Sequence, residues 1–268
     1  MKTIKILGLT TGFIITVLSM AAFIGRDKVT VNKSIAKADG KGFAVLELFT
    51  SEGCSSCPPA EELLAKIQQE AQGKTVYLLA YHVDYWDRQG WKDLFSSADY
   101  SKRQVQYGHW LNAPEIYTPQ LIINGKAEYV GSDEPAIRNA ITEQLATKPG
   151  AALTLQARQD SEGLKVQYRA TQVVNGSSLL IAIVQKAAQS KVVRGENAGR
   201  SLAHVQIVRN LQAKPLSADG NGSTTVVLPK DFNAQNWEVL GLVQDQNTGE
   251  ILAVAKADLN ATATTVKL

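Results

Sequence analysis

The chain has 268 residues, of which 44% are hydrophobic and 20% are charged, and this composition is typical of a globular protein that buries a core. Its formal net charge of +3 is too small to indicate a nucleic-acid-binding surface, and the sequence has no run of Lys and Arg and no glycine-rich phosphate loop. A chain of this length favours two domains.

The N-terminal segment predicts export. Lys2 and Lys5 precede an apolar stretch at residues 6–24, which is the order of charge and hydrophobicity found in secretory signals. Residues 1–24 therefore indicate a signal peptide or a signal anchor, and the pattern leaves cleavage and membrane anchoring both open. Because positive charge precedes the apolar stretch, we expect the body of the protein in the periplasm or cell envelope, free or anchored to the inner membrane. Residues 25–41 are small and polar, and indicate a linker.

A strand, a dithiol and a helix follow the linker. Residues 43–50 are almost entirely apolar and predict a strand covered on both faces. Residues 59–72 carry an apolar stripe at helical spacing. Between them lie the only two cysteines, Cys54 and Cys57. A C-x-x-C pair between a strand and a helix is typical of thioredoxin-like redox sites, because the free N–H groups and positive end of a helix stabilise a thiolate.

Other interpretations of the cysteine pair stay open. A disulfide across so short a loop gives only ~2 kcal/mol on the chain-entropy estimate, which is little use to a chain of this size. A zinc site needs four ligands, and there is no second C-x-x-C. Reduced thiolates suit Cu(I), with His82 as a further ligand. Two inert buried cysteines are the last alternative, and we interpret the pair as redox-active.

The remaining elements divide at residues 148–150, where a Lys-Pro-Gly sequence predicts a domain boundary. Before it, the patterns predict strands at 75–83, 120–123 and 127–130, helices at 97–111 and 133–146, the last capped by Ser132, and an aromatic loop at 84–95. After it, they predict strands at 153–158, 164–170, 179–186, 203–208, 224–228, 237–244 and 251–257. Seven short strands separated by turn sequences are typical of a β-sandwich. The predicted fold class is therefore an α/β domain at 42–148 followed by a β-sandwich domain at 151–268.

Two further features are candidates for the site. Glu47 is the only charge in its strand and alternates with Val45 and Phe49. A buried carboxylate there would have a raised pKa and would exchange a proton with Cys57; the alternative is a hydrogen-bonded structural acid. The aromatic loop carries three candidates for a substrate groove beside the dithiol, or for a small core under the loop: Tyr85, Trp86 and Trp91.

Several segments together resemble an exported bacterial family catalogued as domain of unknown function 1223. They are ELFTSEGCSSCPPAE at 47–61, HVDYWD at 82–87, GWKD at 90–93, YTPQLIING at 117–125, VGS at 130–132 and GENAGR at 195–200. The resemblance implies export and a thioredoxin-like fold, in which a cis-proline preceded by a short residue faces the dithiol. It therefore places Thr118 and Pro119 at the site, with Pro119 bounding the substrate groove. It supplies no substrate, because the family has no assigned activity.

The sequence thus predicts thiol–disulfide exchange with protein or small thiol partners and without a cofactor, and leaves open whether the protein is an enzyme. We expect Cys54 to attack, as the more exposed thiol, and Cys57 to resolve the mixed disulfide. The C-terminal domain would supply a docking surface, and the GENAGR loop would dock the first domain or touch a ligand. The alternatives are a Cu(I)-handling protein and a binding module without catalysis.

Overall fold

The computed structural model describes residues 42–160, 163–257 and 259. The predicted signal segment at 1–24 and the linker at 25–41 lie outside these residues, as do positions 161–162, 258 and 260–268 of the predicted second domain. Among the described helices, none is long and apolar enough to cross a membrane.

The first half of the described chain alternates strands and helices, as predicted. The elements are β1 (Ala44–Thr50), α1 (Pro58–Glu70), β2 (Val76–His82), α2 (Ala98–Trp110), β3 (Gln120–Ile123), β4 (Ala127–Val130) and α3 (Glu134–Ala146). Strand β1 pairs parallel with β2 and antiparallel with β3, and β3 pairs antiparallel with β4. One predicted cap is wrong. Asp133 rather than Ser132 caps α3 by accepting the N–H of Ala136, a position that suits either side chain.

All seven strands predicted in the second half are present. They are β5 (Ala152–Asp160), β6 (Gly163–Thr171), β7 (Ser177–Lys191), β8 (Ser201–Pro215), β9 (Asn221–Val226), β10 (Trp237–Asp245) and β11 (Ile251–Lys256). Strands β7 and β8 each run for 15 residues, longer than predicted. A register shift at Ile183/Val184 and the polar pair Arg209 and Asn210 interrupt the alternation that marks a strand in sequence.

The strands form two sheets. One has eight strands in the order β11-β10-β7-β8-β2-β1-β3-β4, and the other has three in the order β5-β6-β9. Strand β8 pairs parallel with β2 at Ile207 and Ala80, so strands from both sides of residues 148–150 share one sheet. The fold is therefore mixed α/β with a large sheet. The division into domains at 42–148 and 151–268 stays a prediction.

Helices α1 and α2 pack on opposite faces of β1. On one face, Leu46 and Leu48 join a buried cluster with side chains of α1 and α3. On the other, Val45 and Phe49 join a cluster that includes Tyr107 of α2. A third cluster fills the space between the three-stranded sheet and strands β7, β10 and β11. The alternation of β1 therefore decides which helix each of its side chains meets.

Candidate functional site

The two cysteines form a disulfide at the start of α1, with their Cα atoms 5.4 Å apart. Cys57 is the N-cap residue of the helix, and Pro58 and Pro59 occupy the first turn, where proline gives up no helical hydrogen bond. The carbonyl oxygen of Cys57 accepts the N–H of Ala60 at 3.0 Å. The dithiol therefore lies where the sequence predicts it, beside the free N–H groups of a helix end.

Both cysteines are buried in the disulfide form, and the expected greater exposure of Cys54 in the reduced pair stays a prediction. Cys54 is 1% exposed and Cys57 is 0% exposed, whereas Ser55 and Ser56 between them are exposed. The Cys54 Sγ lies 3.2 Å from the Ser56 Oγ and 3.8 Å from the carbonyl oxygen of Thr118. The sulfurs are therefore covered by their own loop and by the chain before Pro119, a tertiary effect that local sequence does not reveal.

The Thr118–Pro119 peptide bond is cis, as the resemblance implied. Pro119 is buried, and the Thr118 hydroxyl oxygen accepts a hydrogen bond from the Trp86 indole at 2.8 Å. The structure thus brings Thr118 and Trp86 beside the dithiol loop. Their contact with a substrate stays a prediction.

The other two aromatic candidates lie on different sides of this loop. The Trp91 indole donates to Glu52 Oε2 at 2.6 Å, so Trp91 is tied to the segment that leads into Cys54. The Tyr85 hydroxyl instead donates to Gln104 of α2 at 3.2 Å, and its ring packs against the core on that side. Trp86 and Trp91 therefore border the dithiol loop, and Tyr85 lies between Gln104 and Thr118. Contact of these three side chains with a substrate stays a prediction.

Glu47 is fully buried and bonded to α2. Its carboxylate accepts from the Arg103 Nε at 2.7 Å and from the Tyr107 hydroxyl. Burial alone would lower the pKa of Arg103, but Glu47 raises it above its ordinary value, so the guanidinium keeps its charge. Glu47 faces α2, whereas α1 and Cys57 lie across the sheet. Proton transfer to Cys57 stays a prediction, and the contacts favour a structural acid.

The loop at 195–200, between β7 and β8, is bonded to the dithiol loop. Asn197 is 1% exposed, and its side-chain amide donates to the carbonyl oxygens of Glu52 and Cys54, both at 2.9 Å. Arg200 donates to the Asn197 Oδ1 at 2.9 Å and so fixes the orientation of the amide. Of the two roles considered for this loop, docking onto the first half of the chain is the one observed.

Glu196 makes a second contact from the same loop. Its Oε2 accepts the backbone N–H of Ser55 at 2.9 Å. Hydrogen bonds from Ser55 lower the pKa of the Glu196 carboxyl from its ordinary value, although the carboxyl stays in solvent. A negative charge is therefore held at the exposed rim of the dithiol.

A cluster of buried ionisable groups lies next to the dithiol loop. His204 of β8 packs edge to face against His82 of β2, with ring centroids 5.0 Å apart. The His204 Nδ1 lies 2.5 Å from Oε2 of Glu61, which is on α1 one turn after Cys57. The His204 Nε2 lies 3.2 Å from Oε1 of Glu52. We name these groups, with Asp93, the buried histidine cluster.

Asp93 fixes the other histidine of the cluster. Its Oδ2 lies 2.7 Å from the Nδ1 of His82 and also accepts the backbone N–H of Glu52 at 2.9 Å. Its Oδ1 accepts the N–H of Phe95 at 2.8 Å. The carboxylate therefore holds a proton on His82 Nδ1 and directs Nε2 away from itself.

The histidines and carboxylates of the cluster stabilise one another's charged forms. Burial alone would lower the pKa of His204, but Glu52 and Glu61 raise it to about 10. Burial would raise the pKa of Glu61, but the hydrogen bond and charge of His204 bring it below its ordinary value. In the same way, Asp93 outweighs burial and raises the pKa of His82. The cluster is therefore charged at neutral pH.

The sequence interpretation missed most of this cluster because His204 comes from the C-terminal half. The sequence places only His82 beside the dithiol as a possible ligand, and the other histidine of the first half, His109, is exposed on α2. The sequence of β8 contains no signal for it, because Ala203, Val205 and Ile207 form the apolar alternation and His204 falls between them. Only the structure shows that Leu202, His204 and Gln206 are buried.

A family model described as "Protein of unknown function (DUF1223)" matches residues 45–244. No curated protein matches the chain. Among solved structures, Protein AGR_C_4864 from Agrobacterium tumefaciens is similar, with 24% identity and a TM-score of 0.63, over 87% of this chain and 100% of that one. HBP35 of Porphyromonas gingivalis is similar with 18% identity and a TM-score of 0.61, over 87% of this chain and 81% of that one. At these identities the similarity shows the fold alone.

Proposed function

The chain belongs to the DUF1223 family, whose description assigns no activity, and we propose that this member performs thiol–disulfide exchange with protein or small thiol partners through Cys54 and Cys57. One observation carries the proposal. The disulfide is formed at the N-terminus of α1, and the Thr118 carbonyl oxygen lies 3.8 Å from the Cys54 Sγ. A helix N-terminus favours the thiolate that exchange requires.

The element order supports a thioredoxin-like arrangement for residues 42–148. Strand β1, helix α1 and the parallel strand β2 are followed by α2, the hairpin β3-β4 and α3. For residues 151–268, the packing of the β5-β6-β9 sheet on β7, β10 and β11 supports a sandwich-like arrangement, although β7 and β8 continue the larger sheet. We propose both as the finer description of the fold.

In the proposed reaction the Cys54 thiolate attacks a partner disulfide. A Cys54–partner disulfide forms, and one partner sulfur leaves as a thiolate. The Cys57 thiolate then attacks the Cys54 sulfur, which closes the Cys54–Cys57 disulfide and releases the second partner thiolate. Two electrons pass from the pair to the partner, and the reverse sequence oxidises a partner dithiol. Thr118, Pro119 and Trp86 would line the groove, and the carboxylate of Glu196 would disfavour acidic segments at its rim.

The proposal includes export of the protein to the periplasm or cell envelope. The charge and apolar pattern of residues 1–24 supports it. Such a compartment is one in which a dithiol and a disulfide both persist and exchange.

The test is the reduction potential of the pair. Equilibration with glutathione buffers, followed by alkylation of free thiols, should give a reversible two-electron couple between roughly −270 and −120 mV. The Cys54→Ser/Cys57→Ser double variant is the control. A pair that stays oxidised at every attainable glutathione ratio would end the proposal.

A second function, a binding module without catalysis, is favoured by the burial of both sulfurs. It predicts an unreactive pair under the same conditions, so the measurement of the potential separates the two functions. It also predicts that the double variant still captures its partner non-covalently.

A further inference from the structure

We propose that Glu61, His82 and His204 form a binding site for a divalent transition-metal ion of the zinc class. One ligand atom from each of the three residues lies within 4.8 Å of the other two. All three residues are buried, the two histidines at 0% and 1% exposure. The site is separate from the dithiol and does not depend on thiol exchange.

An unpartnered nitrogen points to a ligand at this place. The Nε2 of His82 is buried and has no hydrogen-bond partner among the described residues. A polar atom left in this way loses the hydrogen bond that it makes with water in the unfolded chain. The His204 Nε2 faces away from this nitrogen, since it lies 3.1 Å from the Ser190 Oγ and 3.2 Å from the Glu52 Oε1, so the Nδ1 beside Glu61 is the atom of His204 that could bind an ion. A metal ion would satisfy the His82 Nε2.

The surroundings of His82 match those of a metal-binding histidine. Asp93 holds the Nδ1 at 2.7 Å and is itself fixed by the backbone N–H groups of Glu52 and Phe95. Metal-bound histidines commonly donate the far nitrogen to a carboxylate in this way, which fixes the ring and leaves the other nitrogen for the metal. Asp93 would act as a positioning residue.

The charges of the cluster favour a cation. The carboxyl groups of Glu52, Glu61 and Asp93 outnumber the two imidazoles that they face. The guanidinium of Arg209 contacts the Phe95 ring, 5.3 Å from its centroid, and not a carboxyl group of the cluster. A divalent ion would place positive charge against the buried Glu61 carboxyl group.

The ligand types indicate zinc rather than other metals. Two imidazole nitrogens with carboxylate oxygens suit Zn²⁺, whereas Ca²⁺ and Mg²⁺ take oxygen ligands and Cu(I) favours thiolates, which the disulfide withholds. Tetrahedral Zn–N bonds of about 2.0–2.1 Å place ligand atoms roughly 3.3 Å apart. Since the present separations reach up to 4.8 Å, binding requires a closure of up to about 1.5 Å, within the reach of side-chain rotation.

The position of the site suggests what the ion would do. Its ligands come from α1, from the end of β2 and from β8. An ion there would join the C-terminal strand β8 to the helix that starts at the dithiol. We therefore infer a structural ion that stabilises the packing of the dithiol loop.

The test is metal binding by the full chain with its disulfide intact. Metal-free protein, refolded in the presence of a chelator, is titrated with Zn²⁺ against a chromophoric competitor. One Zn²⁺ per chain should bind, with a rise in the melting temperature. His82→Gln should weaken binding about 100-fold or more. His109→Ala, which removes the exposed third histidine of the chain, should bind like the wild type.

A second readout keeps the proposal falsifiable if His82→Gln does not fold. X-ray absorption of the Zn²⁺-loaded wild type should show two imidazoles and oxygen ligands without sulfur. Failure of the oxidised wild type to bind stoichiometric Zn²⁺ would overturn the site, as would sulfur ligation. Equal affinity in a folded His82→Gln variant, or a loss of affinity with His109→Ala, would also overturn it.

Discussion

The side chain of Asn197 donates a hydrogen bond to the carbonyl oxygen of Cys54, at 2.9 Å and across 143 positions of the chain. The same amide donates to the carbonyl oxygen of Glu52. Buried carbonyl groups of an irregular loop need donors from elsewhere, and one asparagine provides two. The loop between β7 and β8 is therefore part of the dithiol site.

This relationship gives the first prediction. Asn197→Ala removes the donor of the buried Glu52 carbonyl oxygen and one of the two donors of the Cys54 carbonyl oxygen, which keeps the Cys57 N–H. The cost of an unsatisfied buried group is about 1–3 kcal/mol. We expect the free energy of unfolding in urea to fall by that amount. Asn175→Ala, at an exposed turn position, is the control and should change little. A loss below about 0.5 kcal/mol, within the range of ordinary surface substitutions, would show that the loop is not held by this amide.

The roles of the two cysteines are tested by trapping. With Cys57→Ser, a mixed disulfide formed by Cys54 has no internal thiol to resolve it and should accumulate. Non-reducing gels of cell-envelope extracts, followed by reduction, should show adducts for Cys57→Ser and none for the double cysteine variant. Cys54→Ser is the matched comparison, and adducts with that variant alone would reverse the roles of the two cysteines.

Much of the fold could be predicted from local sequence, because the spacing of apolar residues and the residue types at turns depend on neighbouring positions only. The hairpin β3-β4 lies at its predicted residues, since an Asn-Gly pair between two apolar segments specifies a tight turn. The Cys54–Cys57 pair could be recognised in the same way, because its strand and helix flank it directly in sequence.

The contacts between distant segments could not be predicted in this way. His204 and Asn197 contact the dithiol region across more than 140 positions of the chain. The residues that flank them in sequence do not indicate which distant segment they contact. The length of β8 was underestimated because Arg209 and Asn210 break its apolar pattern at the point where pairing continues. These long-range contacts and the length of β8 depend on which strands pair and which segments pack together, and a single sequence shows neither directly.

The Glu196 contact predicts a pH-dependent signal at the dithiol loop. Hydrogen bonds from Ser55 lower the carboxyl pKa from the ordinary 4.5, so the contact is complete above that pH and is lost as pH falls through the lower folded-state value. The Ser55 amide resonance should therefore titrate with a midpoint below 4.5. In Glu196→Gln this titration should disappear. A midpoint at or above the ordinary value would mean that the carboxylate does not hold the Ser55 N–H in solution.

The last prediction concerns the Glu47–Arg103 ion pair. Glu47→Gln leaves the Arg103 guanidinium buried without its carboxylate, and breaking a buried pair by removing one partner costs about 3–5 kcal/mol. Urea unfolding should show this loss. Because Arg103→Met with Glu47→Gln removes the unpaired charge, the double variant should recover part of it, and the double-mutant cycle gives the coupling.

The same variant decides between the two interpretations of Glu47. Its carboxylate is bonded to α2, on the face of β1 opposite to α1 and Cys57. We therefore expect the rate of disulfide exchange per folded molecule, and its pH profile, to match the wild type in Glu47→Gln. A shifted pH profile in molecules shown to be folded would instead support proton transfer between Glu47 and Cys57, since only a titrating partner of the thiol moves that profile.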